Sequence, residues 1–423
     1  MRVTARYLLP LSIDDLVLMS FSFIPWSRAT GFHSRRFGSR IRPALLGMAV
    51  AGIAGCAQPI PVGEPSPANE PRPTQPTTTA PVRPRPSSRP MPDSPSARPT
   101  LAQWPIKTAE HVDLWLHSFA LVSEDTVRVP LYRRGYRDSL TVVKNRANVL
   151  TSLDVNRATL ARRLAASPGY LQAQFIAFEF PNWDAMHAAA EQFLARDAGP
   201  SRSGSGTVNP FVAIFPTAAD REWLRLFITG VDDEQLRFFN AEHSRVVRSR
   251  NAVVTAVDSL WQQVYRQRFQ RFLTNTGQRN GDLLLSIPIA GEGRAGVGRD
   301  RQTVIAVPFP DRVAEAKNVI LVLAHELTGT LVNGVIGDNT TPAEQRAGQV
   351  DRYVSLAQVR AGAMLLEKVA PELVDSYMRF YLAQSGVRAD AADVKTLFAR
   401  SYDVPVAIRD GLQRQIDIVL GGI

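Results

Sequence analysis

The sequence predicts an α+β fold that is mostly helical, and three observations lead to this prediction. Between residues 104 and 423, most segments carry apolar residues at helical spacing. Two β-rich runs stand out in that region, 282-DLLLSIPI-289 and 303-TVIAVPF-309, and a glycine-rich connection joins them. A proline-rich segment without hydrophobic periodicity precedes the patterned region. We therefore expect a small sheet among many helices, behind a disordered tether.

Residues 1–56 are predicted to be an N-terminal extension followed by a lipoprotein signal peptide. Four arginines between positions 35 and 42 precede the uncharged run 43-PALLGMAVAGIAG-55. The run is too short to span a bilayer, but it suits the apolar core of a secretory signal. Its end, 53-IAGC-56, resembles the lipobox of bacterial lipoproteins. The resemblance implies that lipidated Cys56 anchors the chain in the cell envelope. Because no acidic residue directly follows Cys56, it also implies the outer membrane, with the protein facing the periplasm.

Residues 57–103 are predicted to be a disordered, proline-rich linker. Fourteen prolines lie between positions 57 and 100, and such a segment cannot bury enough apolar surface to offset its ordering entropy. The chain has a net charge of +10, but residues 1–56 contribute +5 and residues 57–100 contribute +2, which leaves +3 for the rest. This near balance gives no support for a nucleic-acid partner. With Cys56 as the only cysteine, an intrachain disulfide and a thiolate zinc cluster are excluded.

The folded region, 104–423, is predicted to begin with a helical part at 104–280. Helical patterns there cover 108–124, 154–167, 182–196 and 250–273, and another begins at 217. Asn182 and the pair of Thr217 and Asp220 are predicted as helix caps, and Gly230 as a helix end. The segment 171–180 is a candidate strand.

The second part of the folded region, 281–423, begins with the two β-rich runs. Gly291, Gly293 and Gly296 between them match the pattern G-x-G-x-x-G. A dinucleotide site needs a helix directly after these glycines, but the sequence continues into RDRQ and a strand. We therefore expect a β-hairpin with a long glycine-rich loop. Further helical patterns complete the chain at 341–369, 371–384 and 391–400.

The segment 318-NVILVLAHELTGTLVNGV-335 carries the chemistry. His325 directly precedes Glu326 in a helical pattern, and no other charged residue lies between Lys317 and Asp338. In an HExxH helix, two histidines at positions i and i+4 bind one zinc ion, and the glutamate acts as general base on the zinc-bound water. Gly329 occupies the second histidine position here, and glycine has no side chain to coordinate a metal.

At these residues the sequence, over roughly 282–370, resembles the zincin superfamily in its glutamate-ligand branch, the gluzincins. The resemblance implies a zincin-like domain with a buried HELTG helix, in which His325 is a metal ligand and Glu326 the catalytic general base. It places the third ligand on a following helix, where Glu344 and Asp351 are the candidates. A catalytic zinc site usually has three protein ligands. Because glycine stands at the second ligand position, we expect a domain without a bound cofactor. The alternative is a domain that still binds zinc.

Three hypotheses for function follow. The first is an envelope lipoprotein whose zincin-like domain has lost catalytic zinc, a pseudo-metallopeptidase that binds a peptide or protein partner. The second is an active zinc metallopeptidase with a non-standard ligand set, in which Tyr353 or Tyr377 steadies the oxyanion. The third is a lipid-anchored interaction module without enzymatic ancestry. In each case a buried Glu326 needs a cation, a metal or backbone N–H groups as partners. The remaining histidines in the folded region are expected to be ordinary core or surface residues: His111, His117, His187 and His243.

Overall fold

The computed structural model describes residues 103–123, 131–195, 210–388 and 393–421, which all fall in one compact unit. The signal segment with Cys56 and nearly all of the linker lie outside the described residues. The described part is mostly helical and contains a small mixed sheet, which confirms the predicted fold class.

The α-helices before the sheet include those that the sequence predicts. They are α1 (Glu110–Val122), α2 (Tyr136–Arg146), α3 (Ser152–Ala166), α4 (Trp183–Ala195), α5 (Phe211–Ile214), α6 (Ala218–Glu234), α7 (Asn240–Ser249), α8 (Asn251–Leu260) and α9 (Arg266–Asn275). π-Helical turns at Gln235–Phe239 and Trp261–Tyr265 connect α6 to α7 and α8 to α9. The predicted caps are confirmed, because Asn182 Oδ1 accepts from the N–H of Ala185 at 2.9 Å and Thr217 forms a capping box with Asp220.

Two local predictions in this part are wrong. The candidate strand 171–180 is a 3₁₀-helix, Pro168–Glu179, and Trp115 Nε1 donates to its Ala173 carbonyl at 2.7 Å. Gly230 does not end a helix, since α6 continues through it to Glu234. A Cβ at position 230 would lie 3.0 Å from Leu153 Cδ1, so the glycine serves the close packing of α3 on α6.

The sheet joins the two predicted parts of the folded region. Its strands are β1 (Ile106–Lys107), β2 (Gly281–Ser286), β3 (Arg294–Val297) and β4 (Thr303–Pro308), in the order β1-β2-β4-β3. β1, β2 and β4 are parallel, with Leu283 opposite both Ile106 and Ile305. The predicted hairpin between the two β-rich runs is therefore wrong. The antiparallel partner of β4 is β3, which lies inside the glycine-rich connection.

The glycine-rich connection can hold this edge strand because its glycines permit a sharp turn and close contacts. Gly291 and Gly293 have φ angles of 64° and 78°, in the left-handed region that favours glycine. A Cβ at Gly293 would lie 2.7 Å from Val322 Cγ1, and one at Gly296 would lie 2.5 Å from the Phe178 ring. Side chains at these positions would push β3 away from its neighbours.

Seven helices in the described part follow the sheet. They are α10 (Ala316–Leu327), α11 (Gly329–Asn339), α12 (Pro342–Arg346), α13 (Gln349–Val369), α14 (Val374–Gln384), α15 (Val394–Ser401) and α16 (Val406–Val419). The stretch Val313–Asn339 is long and apolar enough to cross a membrane, but 72% of its apolar window is buried inside the protein. A core helix of a globular protein meets the same criterion, so the burial favours a core role for α10.

The sheet is buried on both faces, which explains the nearly continuous apolar runs of its parallel strands. Leu284, Val304 and Ala306 belong to one hydrophobic core together with residues of α1, α3 and α6. Leu283 and Ile305 point to the opposite face, into a second core with residues of α8, α10, α13 and α14. The helix with His325 and Glu326 therefore lies directly against the sheet.

Candidate functional site at His325 and Glu326

Helix α10 places His325 and Glu326 in the interior of the protein. Every residue from Val319 to Leu327 is buried, so the helix is enclosed on all sides. His325 is 4% exposed and Glu326 is 7% exposed. Polar groups at such depth need hydrogen-bond partners within the protein.

Glu326 has partners for both of its carboxylate oxygens. His325 Nδ1 lies 2.9 Å from Oε1, and the backbone N–H of Ala295 in β3 donates to Oε2. The expectation that a buried Glu326 has a partner is confirmed, and the partner on the sheet is a backbone N–H. A proton on Nδ1 of His325 would complete the hydrogen bond to Oε1 of Glu326. The carboxylate thus ties α10 to the edge strand.

The ring of His325 packs against tyrosines of α14. It stacks on Tyr381 with ring centroids 5.1 Å apart and an interplanar angle of 27°. The hydroxyl of Tyr377 donates to the Val359 carbonyl at 3.0 Å, so it is committed to α13. Burial raises the pKa of Tyr381 well above its ordinary value, and the charges of Tyr377, Glu292 and Glu326 raise it further. Both tyrosines are therefore neutral at physiological pH.

The helix is interrupted where the second histidine of an HExxH motif would stand. α10 ends at Leu327, Thr328 forms a turn, and α11 begins at Gly329. The carbonyl of His325 accepts from Thr328 Oγ1 at 2.7 Å and from Gln358 Nε2 at 3.3 Å. A threonine hydroxyl that bonds back to the preceding turn bends a helix. A Cβ at Gly329 would lie 3.6 Å from Gln358 Nε2, so this position faces an amide of α13 and not a carboxylate.

The two candidates for a third ligand lie elsewhere. Glu344 accepts from the N–H of Thr341 at 2.8 Å in a capping box, and these bonds lower the pKa of its carboxyl group. Asp351 is exposed in the first turn of α13, and its seven-residue separation from Gln358 corresponds to about 10 Å along the helix axis. Tyr353, the other oxyanion candidate, bonds to Gln349 at 3.1 Å.

The residues present do not fit a catalytic zinc ion. Of the predicted ligands, only His325 lies at the candidate site, and position 329 offers no donor. Within the described ranges, no group of three or more His, Cys, Asp or Glu side chains could hold a metal. Zinc sites with catalytic function usually have three protein ligands, and this arrangement supplies fewer.

A second buried network in the first part of the fold escaped the sequence analysis. Glu234 is fully buried and lies 3.0 Å from His117 Nε2 and 2.7 Å from Lys144 Nζ. Burial raises the pKa of Glu234, but the bonds and charges of His117 and Lys144 outweigh it and lower the pKa to about 2. The π-helical turn directly after Glu234 is a feature often found at functional sites, but the periodicity of the sequence gives no sign of it.

A third buried cluster joins α1, α7 and the end of β2. His243 Nε2 lies 3.2 Å from Asp113 Oδ2, and Ser286 Oγ donates to Asp113 Oδ1 at 2.6 Å. Ser, His and Asp are the residue types of a hydrolase triad, but the serine is bonded to the aspartate and not to the histidine. Among the described contacts the serine hydroxyl meets no histidine, so the order of a hydrolase triad is not formed, and the cluster links helices to the sheet. The other two histidines have separate partners, His111 with the Phe180 carbonyl and His187 with Asp232.

Comparison of the chain with protein families, with characterised proteins and with solved structures gives no match.

Proposed function

We propose that this protein is a lipid-anchored component of the bacterial cell envelope whose zincin-like domain lacks catalytic zinc and acts by binding a peptide or protein partner. The observation that carries the proposal is the engagement of both carboxylate oxygens of Glu326. A general base needs a lone pair that the attacking water can reach, and the burial of Glu326, at 7% exposure, restricts the access of water to the lone pairs that its two bonds leave. Here the carboxylate joins His325 to the N–H of Ala295, so it acts as a clamp between helix and sheet.

The surroundings of His325 support the same proposal. Gly329 has no donor atom, the helix is interrupted at Thr328, and the side chain that faces position 329 is the amide of Gln358. Each difference removes one element of an HExxH zinc site. The feature that supports a zincin-like domain is the position of this helix beside an edge strand.

The edge strand β3 is the element that we propose for partner binding. It lies at one end of the strand order, and Val297 at its end is 60% exposed. Extended peptides commonly bind by adding a strand to such an edge. The bond to Glu326 already uses the N–H of Ala295, so the part of β3 that is open to a partner strand is its end at Val297.

Zinc content is the experiment that tests the loss of the catalytic site. The full-length protein, His325→Ala and the matched control His187→Ala would be purified without chelators and measured by elemental mass spectrometry. We expect zinc far below one ion per chain in all three proteins. Near-stoichiometric zinc that survives in His187→Ala and disappears in His325→Ala would contradict the proposal.

Reconstruction of the ligand set tests the zincin-like geometry separately. We expect the double variant Gly329→His with Gln358→Glu to bind zinc, because it supplies two further donors beside His325. The single variant Gly329→His supplies only one further donor and should bind zinc more weakly than the double variant. If the double variant binds no more zinc than the wild type does, the helix arrangement is not that of a zincin.

The envelope location is tested at Cys56. We expect Cys56→Ser to move the protein from the membrane fraction to the soluble fraction, because the lipid is the proposed anchor. Incorporation of a labelled fatty acid should be lost in the same variant. A Cys56→Ser protein that stays with the membrane would contradict the lipoprotein assignment.

A further inference from the structure

A cavity opens at the carboxyl ends of β2 and β4, and its lining includes Val322, one helical turn before His325 and Glu326, but neither of those two residues. Its volume is about 170 Å³. In open α/β sheets, ligands bind in the crevice beyond the carboxyl ends of parallel strands. A buried apolar cavity of about 150 Å³ holds a benzene ring, so a single ring-sized group fits here.

The walls of the cavity are mostly apolar. Ile289, Phe309, Val319 and Val322 lie behind the cavity and are all at most 1% exposed, so they form its packed floor and present almost no free surface. Phe380 of α14 lines it as well. Apolar walls with a few polar groups are typical of small-molecule sites.

One cationic side chain, Arg133, lines the cavity. Its guanidinium donates from Nε to the Ile287 carbonyl at 2.7 Å, from Nη1 to Asp311 at 3.0 Å and from Nη2 to the Phe309 carbonyl. Nη1 also donates to Asp311 Oδ2 at 3.1 Å, so these four bonds engage all three guanidinium nitrogens and leave one or two of the five N–H groups. Arg133 is thus held rigidly and has capacity for a second anion.

The charges around Arg133 favour such an anion. Arg250 approaches the same Asp311 carboxylate at 2.5 Å and lies over the Phe309 ring at 5.3 Å, so two guanidinium groups share one carboxylate. Burial lowers the pKa of Arg250, and the charge of Arg133 lowers it further. The acidic Glu315 also lines the cavity and accepts from Arg312 Nε at 2.9 Å, so three arginines and two carboxylates surround the cavity and give a local charge of +1. Asp311 is 54% exposed, so solvent screening weakens its ion pairs with both arginines.

We propose that this cavity binds the carboxylate of an apolar acid, with the carboxylate on Arg133 and the apolar group against Phe380, above the packed floor that Phe309 and Val322 form. A peptide with an apolar carboxyl-terminal residue and a free aromatic or branched acid present the same chemistry. The inference does not depend on the zincin resemblance, since the cavity uses neither His325 nor Glu326.

Calorimetric titration of the full-length protein with N-acetylphenylalanine and with its carboxamide tests the proposal. We expect saturable binding of the acid and at least about tenfold weaker binding of the amide, because the amide cannot form the charge-assisted pair. The tripeptide Ala-Ala-Phe distinguishes the two classes of ligand. If it binds more tightly than N-acetylphenylalanine, the ligand is a peptide carboxyl terminus. If the two bind equally, the ligand is a free acid. Equal affinity for N-acetylphenylalanine and its carboxamide would overturn the proposal.

Two variants locate the binding at Arg133. Asp311→Asn removes the competing carboxylate and should tighten binding of the acid several-fold, a gain that a misfolded protein cannot mimic. Arg133→Lys keeps the positive charge but loses the planar guanidinium group with its paired N–H donors. It should weaken binding of the acid about tenfold. The control Arg225→Lys changes an arginine in an exposed ion pair with Glu222 and should leave binding unchanged. No saturable binding of the acid to Asp311→Asn, or equal effects of Arg133→Lys and Arg225→Lys, would overturn the assignment.

Discussion

Two buried glutamates, Glu234 and Glu326, have different hydrogen-bond partners. Glu234 belongs to a network that stabilises the fold, whereas Glu326 belongs to the candidate site. Glu234 is fully buried and is bonded to a lysine and a histidine. Glu326 is 7% exposed and is bonded to a histidine and one backbone N–H, with no lysine or arginine in ion-pair contact among the described residues. A lysine thus compensates one carboxylate, while a histidine and a backbone N–H are the partners of the other.

The comparison teaches that burial of a carboxylate does not by itself indicate catalysis. A buried charge with a matched counter-charge is costly to break, because removal of one partner leaves the other uncompensated. A buried carboxylate with polar partners loses only hydrogen bonds when it is replaced by a neutral group of similar shape. Stability measurements can therefore distinguish the two arrangements.

The largest effect is expected for Lys144→Met. The change leaves Glu234 buried without its cation, removes the ion pair of Lys144 with Asp154 at 2.6 Å, and should lower the free energy of unfolding by about 3–5 kcal/mol. Urea denaturation measures this loss. The matched control Arg225→Met breaks an exposed pair with Glu222 and should cost less than about 1 kcal/mol. Equal losses in both variants would mean that the Glu234 network has no special role.

The next effect is the pH dependence that Glu234 creates. Its pKa in the folded protein is about 2, below the value of about 4.3 for an unfolded chain. The network therefore contributes its stability above the unfolded pKa and loses it as the pH falls towards the folded pKa, a change of about 3 kcal/mol. Glu234→Gln should flatten this part of the stability profile. The exposed control Glu222→Gln should follow the wild type, and a Glu234→Gln profile parallel to both would contradict the prediction.

Replacement of Glu326 should have a smaller effect. Glu326→Leu leaves the N–H of Ala295 and the ring N–H of His325 unpaired and should cost about 1–3 kcal/mol. Glu326→Gln retains an oxygen for the Ala295 N–H, so we expect it to cost less than about 1.5 kcal/mol. Thermal and urea denaturation of both variants measure the difference. If Glu326→Leu is as stable as the wild type, the clamp between α10 and β3 contributes nothing to the fold.

Much of the fold could be predicted because its signals are local. The capping residues Asn182 and Thr217 lie within three residues of their partners, and the uncharged stretch around His325 indicates a buried helix directly. Strand partners are not local. The parallel pairing of β2 and β4 depends on helices that cover both faces of the sheet, and Gly230 continues a helix because distant Leu153 packs against it.

The candidate site could be predicted only in part for the same reason. The sequence identifies His325, Glu326 and the glycine at 329. The N–H that binds Glu326 comes from Ala295, 31 residues away, and Lys144 meets Glu234 across 90 residues. The interruption at Thr328 depends on the amide of Gln358 as well as on the threonine hydroxyl, and no spacing rule predicts that contact.

The smallest effect is expected at Gly329, and it sharpens the comparison between the clamp and a zinc site. A Cβ at position 329 would make ordinary contact with Gln358 Nε2 at 3.6 Å, and the residue begins α11. Gly329→Ala should therefore raise the free energy of unfolding by about 0.5 kcal/mol, since alanine loses less backbone entropy in a helix. A gain would mean that the glycine is not needed for packing and marks only the absence of a ligand. A loss of stability in urea denaturation would instead mean that α13 requires a glycine here, and that the missing histidine is a consequence of the close approach of Gln358.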